Sequence, residues 1–90
     1  MTNFEVDVKK PAARQVEKLS PAVAQRILSG LRAPAANPYP RGDTIKPLKG
    51  HANLYRLRIG DWRVVYELAG RKVQVLYVAK RDEVYKRACL

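Results

Sequence analysis

The chain has 90 residues, 47% of them hydrophobic, enough for one small domain with a single core and little to spare. Its 18 lysines and arginines against 8 carboxylates leave a net charge of +10, and a lone cysteine, Cys89, excludes an intrachain disulfide framework and a cysteine-rich zinc site. One histidine and no C-x-x-C pair leave no expected metal, and no run of about 18 apolar residues is present to cross a membrane. The charge is uneven: residues 1–40 hold six basic and three acidic side chains, residues 41–90 twelve and five. Such an excess draws nucleic acid through counterion release, the plain alternative being a soluble basic surface with no specific ligand. The opening MTNFEVDVKK alternates acidic and apolar residues where a secretory signal would be basic and then apolar, so a cytoplasmic protein is expected.

From Asn3 to Val8, Phe4, Val6 and Val8 alternate with Glu5 and Asp7, which predicts a short strand. Pro11 then opens a helix in its first turn, where a missing N–H costs nothing; Ala12, Val16 and Leu19 line its apolar face. Ser20-Pro21 reads as an N-cap followed by a first-turn proline, starting a second helix with the apolar stripe Val23, Ile27, Leu28 and Leu31 and with Gly30 near its end. Lys9, Lys10, Arg14, Lys18 and Arg26 read as a solvated surface of this helical hairpin. Ala33 to Pro47, with Pro34, Pro38, Pro40, Pro47 and Gly42, reads as a long irregular connection. Leu48-Lys49-Gly50-His51 leads out of it, and a lone loop histidine such as His51 is more often solvated than catalytic.

The run LYRLRIGDWRVVYEL, Leu54 to Leu68, then predicts two strands folded on Gly60-Asp61 in a type II′ turn. That register sets Ile59 opposite Trp62, Arg58 opposite Arg63 and Leu57 opposite Val64. Tyr55, Leu57, Ile59, Trp62, Val64, Tyr66 and Leu68 then share the core face, and Arg56, Arg58 and Arg63 share the other. A third strand, Lys72 to Lys80, follows a turn at Gly70-Arg71; if that turn is also two residues, Val64 faces Tyr77 on the core face, Val65 meets Leu76 and Arg63 meets Val78 on the arginine face, and Lys80 and Arg81 emerge beside Gly60-Asp61. Glu83 to Leu90 has the spacing of a short helix. The expected architecture is α+β: a small antiparallel sheet with an N-terminal helical hairpin on one face and a short C-terminal helix, in one domain over residues 1–90.

Like charges facing each other across a strand pair cost stability, so Arg56, Arg58 and Arg63 on one face call for an anion. Arginine grips phosphate through a planar fork, and Tyr85, four residues past Arg81, could stack on a base or move a proton. Cleavage of RNA by its own 2′-hydroxyl needs an anion clamp, a base and an acid, and no metal.

The runs LKGHANLYRLRIGDWRVVYEL and VQVLYVAKRDEVY resemble the RelE/ParE superfamily of bacterial and archaeal toxins, and its RelE branch most closely, over essentially the whole domain. The most specific part is YRLRIGDWRVVYE together with the KRDEVY ending. The resemblance implies the RelE-like order β-α-α-β-β-β-α and a toxin of a type II toxin–antitoxin pair. It implies cutting of messenger RNA in the ribosomal A site, without a cofactor, leaving a 2′,3′-cyclic phosphate and a 5′-hydroxyl. The family's catalytic positions fall on Arg63, Arg81 and Tyr85, and its basic pair on Arg56 and Arg58. Beside these, Lys49 and Lys80 are read from this sequence as further phosphate contacts and His51 as a candidate for proton transfer. RelE toxins carry lysines where this chain has Arg56 and Arg58; an arginine stays charged, so both suit phosphate binding and neither suits general base. The base is then Tyr85, His51 or a ribosomal RNA group. Implied partners are the ribosome, the message and a RelB-like antitoxin with an acidic wrapping segment. The rival functions are the gyrase inhibition of the ParE branch and RNA or ribosome binding without cutting.

Overall fold

Alternation builds the first strand as expected, β1 (Glu5–Val8), with Val6 and Val8 packed on the core. The computed structural model describes residues 4–48 and 50–80 of the chain; the expected helix over residues 83–90, and Lys49, Arg81, Tyr85 and Cys89, lie outside them. Helix α1 (Lys10–Glu17) carries Pro11 in its first turn. Helix α2 (Pro21–Gly30) starts on Ser20, whose hydroxyl accepts the Val23 N–H at 3.4 Å. Both helices lie on one face of the sheet, where Ala12, Ile27 and Leu31 close over Leu57, Val64, Tyr66, Val73, Val75 and Val78. Leu28 departs from the expected stripe: it stands 51% exposed, one residue round the helix from buried Ile27.

The connection read as irregular contains a helix, α3 (Arg32–Ala36), and an edge strand, β2 (Ile45–Pro47). Pro34 is harmless in α3 because the first N–H groups of a helix have no intrahelical acceptor. Pro47 is tolerated because β2 has a partner on one side alone. The hairpin strands are β3 (Leu54–Ile59) and β4 (Trp62–Ala69), and β5 (Lys72–Lys80) completes the sheet. The strand order is β1-β5-β4-β3-β2, and β1 runs parallel to β5, so the sheet is mixed rather than wholly antiparallel. The β3–β4 register is the expected one, with Ile59 opposite Trp62, Arg58 opposite Arg63 and Leu57 opposite Val64. Gly60 has φ 59° and Asp61 does not share its positive φ, as a type II′ turn requires.

The β4–β5 register departs from expectation halfway along. Leu68 faces Val73 and Tyr66 faces Val75, but a bulge follows, so that Val65 faces Tyr77, Val64 faces Val78, Arg63 faces Ala79 and Trp62 faces Lys80. One extra residue on β5 flips every later side chain to the other side. Val78 thereby joins the main core, and Val65, Ala79 and Leu48 form a second, smaller core on the opposite face with Leu54 and Tyr77. Because β1 pairs with β5 only as far as Val75, the Val78 N–H is met instead by the Gln15 side-chain oxygen of α1, at 2.7 Å.

Gly30 sets how closely α2 approaches β3. A Cβ built on it would stand 2.5 Å from Ile59 Cδ1 and 2.9 Å from Cγ1. Alanine gains about 1 kcal/mol of helix propensity, yet the overlap costs about 1–3 kcal/mol. Gly30→Ala is therefore expected to lower the melting temperature, and Ile59→Val in the same chain, which removes Cδ1, to recover part of the loss. A rise in melting temperature for Gly30→Ala alone would show that the two elements have room to spare.

Candidate nucleic-acid interface

The sheet face away from the helices carries the cations. Arg58 and Arg63 are direct partners across β3–β4, and Arg56 lies two residues along β3. Lys46 of β2 faces Arg56 and so joins the same side. Lys46 is not legible as part of this face in the sequence, because β2 is three residues long and ends in a proline, with Ile45 buried and Lys46 and Pro47 exposed.

The four are not equivalent. Arg56 is 5% exposed, and its Nη2 donates to the Asp43 carbonyl at 3.2 Å. Arg63 is 8% exposed, and its Nη1 donates to the Gly60 carbonyl at 2.8 Å and to the Trp62 carbonyl at 3.0 Å. Both guanidiniums are sunk into the surface and hold backbone, Arg56 the 43–44 loop and Arg63 the hairpin turn. Arg58 is exposed, and its side chain makes no hydrogen bond or ion pair among the described residues. Its backbone N–H is fixed on the Thr44 carbonyl at 2.8 Å. The face thus offers one outward fork, Arg58, backed by two immobilised positive charges.

An acid answers them at the rim. The Asp43 carboxylate pairs with Lys46 at 2.9 Å. That hydrogen bond, the Lys46 charge and, more weakly, Arg58 and Arg56 hold Asp43 below the usual carboxylate range against a small desolvation effect. An incoming phosphate competes with Asp43 for these cations, which favours ligands with several phosphates over a single small anion.

The other expected site residues fall elsewhere. His51 is exposed, and its backbone N–H bonds to the Leu48 carbonyl at 3.2 Å, before β3 begins. At about 3.3 Å per residue, β3 alone sets roughly 13 Å between Leu54 and Arg58, so His51 sits at the far end of the strand from Arg58 and Arg63. Lys80, through the bulge, lies on the Trp62 side of the sheet, away from the arginine face, with its Nζ 5.7 Å from the Trp62 ring centroid. Lys49, Arg81 and Tyr85 lie outside the described residues; Arg81 follows directly on the end of β5. Among the described residues no group of three or more His, Cys, Asp or Glu gathers where it could hold a metal ion.

The interface can therefore bind phosphate in a fixed orientation and stabilise added negative charge. Its cations are arginines, which stay charged, and a lysine paired with Asp43, so the described part of the face is built to hold an anion.

Comparison with known proteins agrees with this architecture. The RelE1 protein of Methanocaldococcus jannaschii is 29% identical over 86 residues, spanning 92% of this chain and 96% of that one. A mutant of the Escherichia coli toxin RelE, solved in the free state, shares the fold with a TM-score of 0.77 at 24% identity, over 98% of this chain and 96% of that one. The archaeal RelE–RelB complex of Pyrococcus horikoshii matches with a TM-score of 0.74 at 26% identity, over 89% of this chain and 97% of that one. The family model described as the ParE toxin of type II toxin–antitoxin systems, parDE, matches residues 6–85. With the mixed five-stranded sheet and its helical cover, that match over nearly the whole length makes the chain a toxin of the RelE/ParE superfamily, in the ParE toxin family of type II toxin–antitoxin systems.

Proposed function

We propose that this toxin is a ribosome-dependent endonuclease of messenger RNA. The observation that carries the reading is the direct pairing of Arg58 with Arg63, beside Arg56 and Lys46, on a face that needs a polyanion to offset its own repulsion. The message lies across this face. Arg58 grips a phosphate through its exposed fork, and Arg63, fixed on the turn carbonyls, supplies a preorganised charge for the crowded phosphorus of the transition state. The 2′-hydroxyl attacks the adjacent phosphorus, the bond to the 5′ oxygen breaks, and the products are a 2′,3′-cyclic phosphate and a 5′-hydroxyl. Arg81 stabilises the phosphate or the leaving oxygen, and Tyr85 stacks on a base or transfers a proton. The placement of His51 at the far end of β3 argues against it as base, which leaves Tyr85 or a ribosomal RNA group. The RelE–RelB complex of the similar Pyrococcus horikoshii protein supports a RelB-like antitoxin as a partner.

A second reading has one observation in its favour: the family model that matches is the ParE one. On that reading the toxin binds DNA gyrase and cuts no RNA. Primer extension on a translated message, with and without the protein, separates the two. New 5′ ends at the A-site codon support the nuclease; intact message together with DNA breaks held by gyrase supports the other reading and overturns this one.

A further inference from the structure

Two cations outside the arginine face converge on the tip of the β3–β4 hairpin from the helix side. Arg26 of α2 lays its guanidinium against Gly60, where an added Cβ would stand 3.2 Å from Nη2. Lys80 holds its ammonium over the Trp62 ring, a geometry that fixes a cation in place. Neither side chain makes a hydrogen bond or ion pair with another described residue. From the other side of the sheet Arg63 holds the same turn through the Gly60 and Trp62 carbonyls, with Arg58 opposite it. One tight turn is thus flanked by four positive charges, two on each face, with Asp61 as the carboxylate of the turn itself.

The bulge makes this arrangement. With unbroken pairing Trp62 would face Ala79, and Lys80 would emerge among the arginines. The extra residue in β5 delivers Lys80 opposite Trp62 instead. The arginine face loses a cation and the helix face gains one beside Arg26. A bulge that re-aims a charged side chain onto a second basic cluster fits a ligand too long for one face.

We propose that the anion-binding surface continues round the hairpin tip, and that Arg26 and Lys80 hold a second stretch of RNA backbone on the helix side of the sheet. The ligand class is the sugar–phosphate chain, and its source is either the message itself or ribosomal RNA. This rests on the RNA reading above and not on cutting.

The test measures binding of the full chain to a single-stranded RNA oligonucleotide and, separately, to ribosomes, across a salt series. Wild type is compared with Arg26→Ala, Lys80→Ala, the double variant, and Lys10→Ala on α1 as a control. Each of the first two variants should weaken binding about 3- to 10-fold at low salt and reduce the log–log salt slope by about 0.7–0.9, the double variant by about twice that, with Lys10→Ala unchanged. A loss with the oligonucleotide assigns the contact to the message strand; a loss with ribosomes alone assigns it to ribosomal RNA. Unchanged slopes in both arms for Arg26→Ala and Lys80→Ala overturn the proposal, as does wild type that binds neither. A wild type that binds with the expected slopes but cuts nothing would leave this surface standing and remove the nuclease reading.

Discussion

Arg63→Ala is expected to reduce message cutting about 10²–10³-fold, the usual cost of removing one preorganised donor from a developing charge. It should also cost about 1.5–3 kcal/mol of stability, because the charged Nη1 donates to the Gly60 and Trp62 carbonyls in a nearly closed environment. The two effects separate by comparison with Arg58→Ala. Arg58 is exposed and faces Arg63, so its removal should change stability by less than about 0.5 kcal/mol, and in the favourable direction, since a like-charge pair is relieved. Its loss should appear instead as weaker RNA binding and a shallower salt dependence. Urea unfolding and single-turnover cutting on the same preparations check both. Arg63→Lys keeps the charge but not the planar fork and should fall between wild type and alanine. Cutting by folded Arg63→Ala within a few-fold of wild type would leave Arg63 as a clamp on the turn and nothing more.

The β3–β4 hairpin was legible in the sequence because strict alternation and Gly60-Asp61 fix the same register independently. The start of α2 was legible because Ser20 and Pro21 mark it. β5 was legible as a strand but not in phase. Val73 to Ala79 is apolar at six of seven positions, so a one-residue slip breaks no pattern, and the bulge left no trace in composition. That slip moved Lys80 from the expected site to the opposite face. β2 was missed because three residues ending in a proline carry almost no strand signal, and Lys46 was missed with it. The placement of Arg56, Arg58 and Arg63 on one face followed from alternation alone. Their unequal burial did not, because it depends on carbonyls at Asp43, Gly60 and Trp62 that only the folded chain brings within reach. Arg26 read as ordinary helix surface because nothing in α2 says that the Gly60 turn lies beside it.

Tyr66→Phe is expected to cost about 1–3 kcal/mol although it removes one oxygen. Tyr66 is fully buried, its ring stacks on Tyr55 at 5.6 Å, and its hydroxyl donates to the Pro38 carbonyl at 2.6 Å. Pro38 is itself buried, so the phenylalanine variant leaves that carbonyl without its donor. Tyr66→Ala, which also empties the ring's volume, should cost about 3–5 kcal/mol. Burial, with a smaller contribution from Tyr55 and against Arg41, pushes the Tyr66 hydroxyl well above its ordinary value of 10.0. The folded state therefore keeps this proton where the unfolded chain has lost it. The stabilisation is complete below pH 10 and declines as pH rises above it, by up to about 1.4 kcal/mol per pH unit from this group. Tyr66→Phe should remove that part of the alkaline slope while lowering stability at neutral pH. The consequence reaches the RNA surface, because the segment that Tyr66 anchors at Pro38 runs on to Asp43 and Thr44, whose carbonyls hold the Arg56 guanidinium and the Arg58 N–H. Amide exchange at Arg58 should accordingly quicken in Tyr66→Phe under conditions where the sheet as a whole stays folded. Identical alkaline slopes for the two proteins, with unchanged exchange at Arg58, would mean that the hydroxyl bears neither load.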